Sequence, residues 1–389
     1  MKRLDELMQN QRGIVLAGSL MILSALALAG VAARVMLQND HRTSANMRAG
    51  SQAFYLAASG IEWGKSEILL SPGLTPAPSD RSVDFNNGKF SVSFVSAPNL
   101  GPLSAQFIVR SLGILGRDSH MLLARLSKIY DLADGALGLR GNIQVVHFAG
   151  ASIAISGVDH DPATGRPAGA AMGHAAASTD SQSLSDLVGV QTASLPADSL
   201  QSAAGDPPIA PSRYLASAAL SQLADRLCSA PGAIPLPLPV TGALTLANQT
   251  WGTPTTPQLR CVEGISGVGD ALTLSGDSSG AGILIVRNAD MILNGAMRWE
   301  GLILVTGSDV SLKTGAASAT NIFGSVLINE TGSPSHGALA LDIQGGLRAS
   351  YSRLALNRAA GLIPSSEFAA LYASFPASVK QDFWRSVSP

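Results

Sequence analysis

The sequence predicts an α+β protein: a long N-terminal transmembrane helix, a small antiparallel sheet, then a Gly-rich β-solenoid-like domain with a helical insertion. Three observations predict it. Residues Ile14 to Ala33 (IVLAGSLMILSALALAGVAA) carry no charge. Three runs between Asn87 and Tyr130 alternate apolar and polar residues over at least part of their length. Short apolar runs beyond Leu272 recur at a fixed period, the sign of stacked coils. Composition sets the frame. The 389 residues allow two or three domains at ~100–200 residues each. Charged residues make up 14%, below the ~25% of a soluble globular protein. A net charge of −1 without a basic block, with 5% aromatics, gives no footing for a nucleic-acid partner. Two cysteines are too few for a disulfide scaffold or a zinc ribbon.

The helix comes first. At ~1.5 Å per residue the uncharged run spans ~30 Å, the thickness of a bilayer's hydrocarbon core. Lys2, Arg3 and Arg12 precede it, which favours a cytoplasmic N-terminus, and Arg34 closes it. A secretory signal has an apolar region of ~7–15 residues. The longer run here favours a retained span. No breaker stronger than Gly follows until Pro72. Met47, Gly50, Phe54, Ala57, Ile61, Gly64 and Ile68 recur at steps of 3 and 4, a stripe at the helical seam period. One helix from Ile14 to Leu70 would be ~85 Å long, half in lipid and half packed outside it. The alternative is an anchor followed by a separate short helix.

This arrangement resembles type IV pilins and related pseudopilins. The polar stretch MKRLDELMQNQRG ends in Gly13 and the apolar helix follows at once. The later AFYLAASGIEWG (Ala53–Gly64) is similar to the small-residue, Gly-Ile-Glu segment of PilX-type minor pilins. The resemblance covers the chain from Met1 to the neighbourhood of Leu70. It implies residues 1–13 as a leader that prepilin peptidase removes between Gly13 and Ile14, and residues 14–70 as a transmembrane and assembly helix. It also implies other pilins or pseudopilins as partners through that helix. The chain would cross the inner membrane once, with its C-terminal domain in the periplasm or in an extracellular fibre. One position departs from the pattern. Most pilins carry Glu at the fifth mature position, where it pairs with a neighbour's N-terminal amine; here it is Gly18. A buried charge is costly unless paired, so its loss removes one docking interaction. Some PilX-like minor pilins and the K-type pseudopilin of type II secretion share the departure, and these are thought to sit at or near a fibre tip. The implication is a minor subunit.

Residues 71–134 open with the Pro-rich linker SPGLTPAPSD. The runs Asn87–Val95, Ala105–Ile114 and Ser119–Tyr130 then read as an antiparallel meander, packed on the outer half of the long helix if the resemblance holds. Residues 135–350 read as the solenoid, with a period of ~20 residues. Leu272–Gly276 recurs at Met291–Gly295 and near Val310–Gly315. Interleaved with these, Gly282–Val286 recurs at Gly301–Val305 and, after a slightly longer step, at Gly324–Ile328. Gly141–Phe148, Ala151–Gly157 and Gly242–Asn248 are further candidate coils. A Gly-rich β-sandwich is the alternative; similar runs in long PilX-like proteins favour the solenoid. Residues 159–239 show little strand signal and read as a lateral insertion with one helix over Arg213–Cys228, marked by Leu215, Ala218, Ala219, Leu223 and Leu227. In 351–389 a short helix is predicted from Ser365 through Phe368, Leu371 and Tyr372 to a stop at Pro376.

Chemistry is sparse. Asp159 and Asp161 could form half of a Ca²⁺ loop, but no further carboxylate follows at calcium-loop spacing, so a solvated turn is favoured. The six histidines are scattered, with no His-x-x-x-His or Cys-x-x-Cys, so no metal or cofactor is expected. No Gly-x-Ser-x-Gly elbow or P-loop occurs. A polysaccharide-active solenoid would need carboxylates stacked on one face. Asp270, Asp277, Asp290 and Glu300 are the candidates, without a shared register. Cys228 and Cys261 are predicted to pair, because the topology places both on the oxidising, exported side; two unrelated buried thiols are the alternative. The reading is a non-enzymatic minor pilin or pilus-assembly protein at or near a pilus tip. The alternatives are a K-like type II pseudopilin, a membrane-anchored solenoid adhesin, or a polysaccharide-active enzyme.

Overall fold

The computed structural model describes residues 2–387 except 72, 75–78, 86–87, 98–100, 142–143, 150–151, 169–172, 197, 203–204, 213–215, 237–240, 266–268, 333–337 and 369–376. Helix α1 (Lys2–Leu70) is one element of 69 residues, so the helix runs unbroken through residues 2–13 as well as the stretch from Ile14. Its C-terminal carbonyls are met from the sheet. The fully buried Lys128 donates from Nζ to Ser71 O at 2.5 Å and to Leu69 O at 3.5 Å. Tyr130 donates its hydroxyl to Gly73 O at 3.3 Å. The last carbonyls of a helix lack intrahelical partners and carry its negative dipole end, so a cation there answers both needs.

Strands β1 (Arg81–Phe85), β2 (Gly88–Ser96), β3 (Ser104–Leu115) and β4 (Asp118–Tyr130) form an antiparallel sheet on which the second half of α1 lies. The three predicted runs map onto β2, β3 and β4. Alternate residues Phe107 and Val109 on β3 and Leu122, Ala124 and Leu126 on β4 are buried with Phe90 and Val92 of β2. From the helix, Ala53, Leu56, Ala57, Ile61 and Ile68 are buried. Two glycines let the backbones meet. A Cβ on Gly113 would lie 2.1 Å from Ala53 O, and one on Gly60 would lie 2.0 Å from Ser111 Oγ.

The chain then builds a large, curled, parallel sheet. In order come β5 (Gly135–Gly141), β6 (Gln144–Phe148), β7 (Ile153–Ser156), β8 (His174–Ser178), α2 (Ser181–Ser194), β9 (Leu200–Gln201), β10 (Ile209–Pro211) and α3 (Ser217–Cys228). These are followed by β11 (Ala233–Pro235), β12 (Ala243–Ala247), β13 (Thr250–Trp251), β14 (Gln258–Glu263), β15 (Ala271–Arg287), β16 (Asp290–Gly307), β17 (Leu312–Thr314), β18 (Ala319–Glu330), β19 (Ala338–Ile343) and β20 (Gly346–Ser350). Helix α4 (Arg353–Ala360) and strand β21 (Ala377–Val387) end the chain.

Pairing runs along three faces. The first stacks β11, β14, the ends of β15, β16 and β18, then β5, β8 and β10; the second stacks β12, the starts of β15 and β16, then β17, β19 and β6; the third stacks β13, the middles of β15 and β16, the start of β18, then β20, β7 and β9. The sequence repeat is this register: Leu272 opposes Met291, and Gly282 opposes Gly301. The longer step also keeps it, since Gly301 opposes Gly324. Gly282, Gly301 and Gly324 form a ladder at one corner with φ of 123°, 136° and 139°. The corner admits no side chain, since a Cβ on Gly301 would lie 2.0 Å from Gly282 O.

Two expectations are corrected. Residues 159–239 are not a lateral projection, because β8, β9, β10 and β11 belong to the parallel sheet. Strands of two to five residues are too short to show a period. The segment carries α2 as well as α3; Asp180 caps α2 by accepting from Ser183 N at 2.6 Å. Helix α3 buries Leu220, Leu223, Ala224 and Leu227, while Leu215 lies outside the described residues. At the C-terminus, residues 365–368 are helical, and Leu371, Tyr372 and Pro376 lie outside the described residues. Strand β21 was not expected at all. It joins the small sheet antiparallel to β4, giving the order β1-β2-β3-β4-β21. A bulge between Gln381 and Phe383 interrupts its alternation, and as an edge strand it buries little. The solenoid is therefore inserted between two neighbouring strands of the small sheet.

Candidate assembly surface on the N-terminal helix

Side chains of α1 are described from Leu16 onward, so for Gly13 and Ile14 only the helical backbone is known. From Leu16 to Leu37 the large apolar residues are exposed on all sides of the helix, among them Leu20, Ile22, Leu26, Leu28 and Val31. The helix contains an 18-residue window of mean hydropathy 2.2, none of it buried, and is long and apolar enough to cross a membrane. Its polar side chains are satisfied internally. Ser19 Oγ donates to Leu16 O and Ser24 Oγ to Met21 O, both at 2.9 Å, which is the condition for placing hydroxyls in hydrocarbon. Gly18 has nothing within 4 Å of a would-be Cβ.

The structure divides the predicted stripe. Ala57, Ile61, Gly64 and Ile68 are buried on the protein's own sheet. Met47 remains 69% exposed, and Gly50 faces open space. Phe54 lies at the boundary, half-buried. Its ring sits 5.1 Å from that of His120, 5.7 Å from Tyr55 and 6.0 Å from Trp384. Sequence reasoning missed Ala53, Leu56 and Gly60 on the buried face, and it missed the aromatic group beside Phe54. The small residue at Gly60, directly before Ile61, was the available signal for close helix–sheet approach. Nothing in the sequence linked Trp384 to Phe54.

Within the parallel sheet and its helices, Cys228 and Cys261 are bonded, with Cα atoms 5.6 Å apart. The bond ties α3 to β14 on the first face, where Arg287 also reaches Asp225 at 2.8 Å and Glu263 at 3.1 Å. The connection between sheet and solenoid is a buried polar knot. Asp131 accepts from Tyr351 Oη at 3.1 Å and Arg353 Nε at 3.2 Å. Burial pushes the Asp131 carboxyl up from the usual carboxylate range, with Arg353 opposing. For Arg353 burial acts downward, but Asp131, Tyr351 and Asp159 together outweigh it and the guanidinium is held more firmly charged.

The carboxylates considered for chemistry have structural tasks. Asp159 Oδ1 accepts from Arg353 N at 2.9 Å at the start of α4. Asp161 accepts from Ala163 N and Thr164 Oγ1, both at 3.0 Å. Asp270 holds Gly242 N and Ile265 N, Asp290 holds Lys313 and Ser311, and Glu300 holds Arg298 and Arg358. Asp277 is exposed. Among the described residues no three His, Cys, Asp or Glu side chains are grouped to hold a metal ion.

No protein-family model matches the chain, and no curated protein matches it. Among solved structures, it is similar to the competence-associated pilin ComZ from Thermus thermophilus. The identity is 12%, the match covers 87% of this chain and 98% of that one, and the TM-score is 0.21. A score that low carries no weight for the fold or the function here.

Proposed function

We propose that the chain is a non-enzymatic minor pilin or pilus-assembly subunit of the PilX type, built into a type IV pilus at or near its tip. One observation carries the reading: a single helix whose N-terminal half is an uncovered apolar span and whose C-terminal half is packed on an antiparallel sheet. Two-part use of one helix suits a subunit that waits in the inner membrane and is then drawn into a helical bundle. On this reading the sheet and solenoid lie in the periplasm before assembly and outside the cell after it. The solenoid's position supports the placement. The chain leaves β4 for the solenoid at Tyr130, beside the C-terminal end of α1, which is the helix end farthest from the span. The absence of a carboxylate at Gly18 removes a pairing that a repeated structural subunit would use.

Processing tests the reading. Prepilin peptidase is expected to cut between Gly13 and Ile14, so the membrane-bound protein should begin at Ile14, and Gly13→Leu should leave it uncut. Intact mass spectrometry of the membrane fraction reads both. A full Met1-to-Pro389 chain in cells with active prepilin peptidase would refute the proposal.

A further inference from the structure

Strands with a neighbour on one side only are β1 and β21 in the small sheet, and β6, β9, β10, β11, β12 and β13 in the solenoid. An open edge invites pairing with another chain, and proteins blunt it with charge, Pro, a bulge, shortness or a covering element. Among the described residues, every such edge but one is blunted. Strand β1 carries Arg81 and Asp84, and β21 carries its bulge with Lys380 and Arg385. Strands β10 and β11 hold Pro211 and Pro235, β9 and β13 are two residues long, and α2 packs against β6. Strand β12 has none of these devices. Its sequence, ALTLA, is five neutral residues in unbroken register with β15.

Ala271 N donates to Gly242 O and Asn248 N to Ser275 O, so the even-numbered residues of β12 bond to β15. The N–H and C=O groups of Ala243, Thr245 and Ala247 therefore point to the open side. Among the described residues, Ala247 O alone of these is met, by Gln249 Nε2 at 2.8 Å. Leu244 and Leu246 lie in register with the buried Leu272 and Leu274 but are themselves only half-buried. The apolar interior of the solenoid thus ends here with part of its surface open.

We infer that β12 pairs antiparallel with β12 of a second copy, joining two solenoids end to end; the inference does not rest on the reading above. The strand is its own complement, because its sequence is the same read in either direction. A two-fold axis at Thr245 sets Thr245 opposite Thr245 of the copy and Ala243 opposite Ala247, with about six main-chain hydrogen bonds. Leu244 then meets Leu246 of the copy on the inner face, and the apolar stack continues across the junction. With no charge on the strand, the axis brings no like charges together.

Cysteine crosslinking in membranes carrying the full-length chain tests this. Cys228 and Cys261 are bonded to each other, so an introduced thiol is the reactive one. Ala243, Thr245 and Ala247 are all exposed, so their replacement should leave the fold intact. Thr245→Cys sets two thiols on Cα atoms ~5.5 Å apart, within disulfide reach, and copper–phenanthroline oxidation should give a covalent dimer on non-reducing gels. Ala243→Cys alone lies ~14 Å from its own copy and should give about tenfold less dimer. Combining it with Ala247→Cys should restore the dimer. Thr245→Lys added to that pair sets two ammonium groups opposite each other and should cut the yield about tenfold. No dimer from any variant overturns the inference. Equal dimer from Thr245→Cys and Ala243→Cys overturns the antiparallel register, and a yield unchanged by Thr245→Lys overturns the pairing through β12. A Thr245→Cys adduct with a different polypeptide overturns the second copy as occupant.

Discussion

Replacing Gly301 with Ala should unfold the middle of the solenoid. The residue sits at φ 136°, a conformation that costs an L side chain ~1–3 kcal/mol. Its new Cβ would also lie 2.0 Å from Gly282 O, an atom of the neighbouring coil. Ordinary contact needs more than ~1 Å of extra separation there, yet the ladder holds adjacent strands at ~4.8 Å. The corner must open, losing two or three hydrogen bonds worth ~0.5–1.5 kcal/mol each. Together these give ~2–7 kcal/mol, reaching into the range of severe substitutions. Pulse proteolysis of the detergent-solubilised full-length chain across a urea series reads the effect, with the solenoid fragment followed on gels. With a slope of ~2–3 kcal/mol per molar urea, the midpoint should fall by ~1–3 M. Gly232→Ala, which meets nothing within 4 Å, should stay within ~0.5 kcal/mol of the parent. If Gly301→Ala tracks Gly232→Ala, the corner ladder is not what holds the coils together.

Three further outcomes are expected. Cys228→Ser combined with Cys261→Ser opens a loop of 33 residues and should cost ~3–4 kcal/mol on the chain-entropy estimate, read as a lower urea midpoint; equal midpoints with and without the bond would contradict it. Ile61→Lys would bury an ammonium against the small sheet at a cost of several kcal/mol, so the sheet should become protease-sensitive; a resistant sheet would sink the packing described for α1. Burial lowers the Lys128 pKa from 10.5 to about 8. Between those values the unfolded chain binds the proton and the folded one does not, so stability should rise as pH climbs from about 8 to 10.5, and Lys128→Met should flatten that rise.

The long helix, the three central strands of the small sheet and the middle coils of the solenoid were legible because each repeats a physical period. Helical steps of 3 and 4 located Ile61 and Ile68, alternation located β2 to β4, and the spacing of the apolar runs was the strand register itself. The stripe failed at its near end for a reason outside the helix: the sheet starts only at Ala53, so Met47 and Gly50 have nothing of their own to pack on. The end coils were hidden by strands too short to carry a period. Strand β21 was hidden by its bulge and exposure, and its partner β4 lies on the far side of the whole solenoid in sequence. The aromatic group beside Phe54 depends on that pairing, so neither half announced the other.

The insertion of the solenoid between β4 and β21 also sets an order of events. Ala377 opposes Tyr130, so the small sheet cannot gain its last strand until everything between them has been synthesised and coiled closely enough to bring the two ends together. The same delay holds inside the solenoid, where β5 is made early but finds its neighbour β18 only after the coils from β11 onward have formed. Both closures are long-range pairings, the slow kind. Until β21 docks, β4 presents an open strand edge and Phe54 lacks Trp384. A chain with an unfinished solenoid would therefore lack the aromatic contact beside its long helix, and completing the solenoid becomes a condition for completing the small sheet.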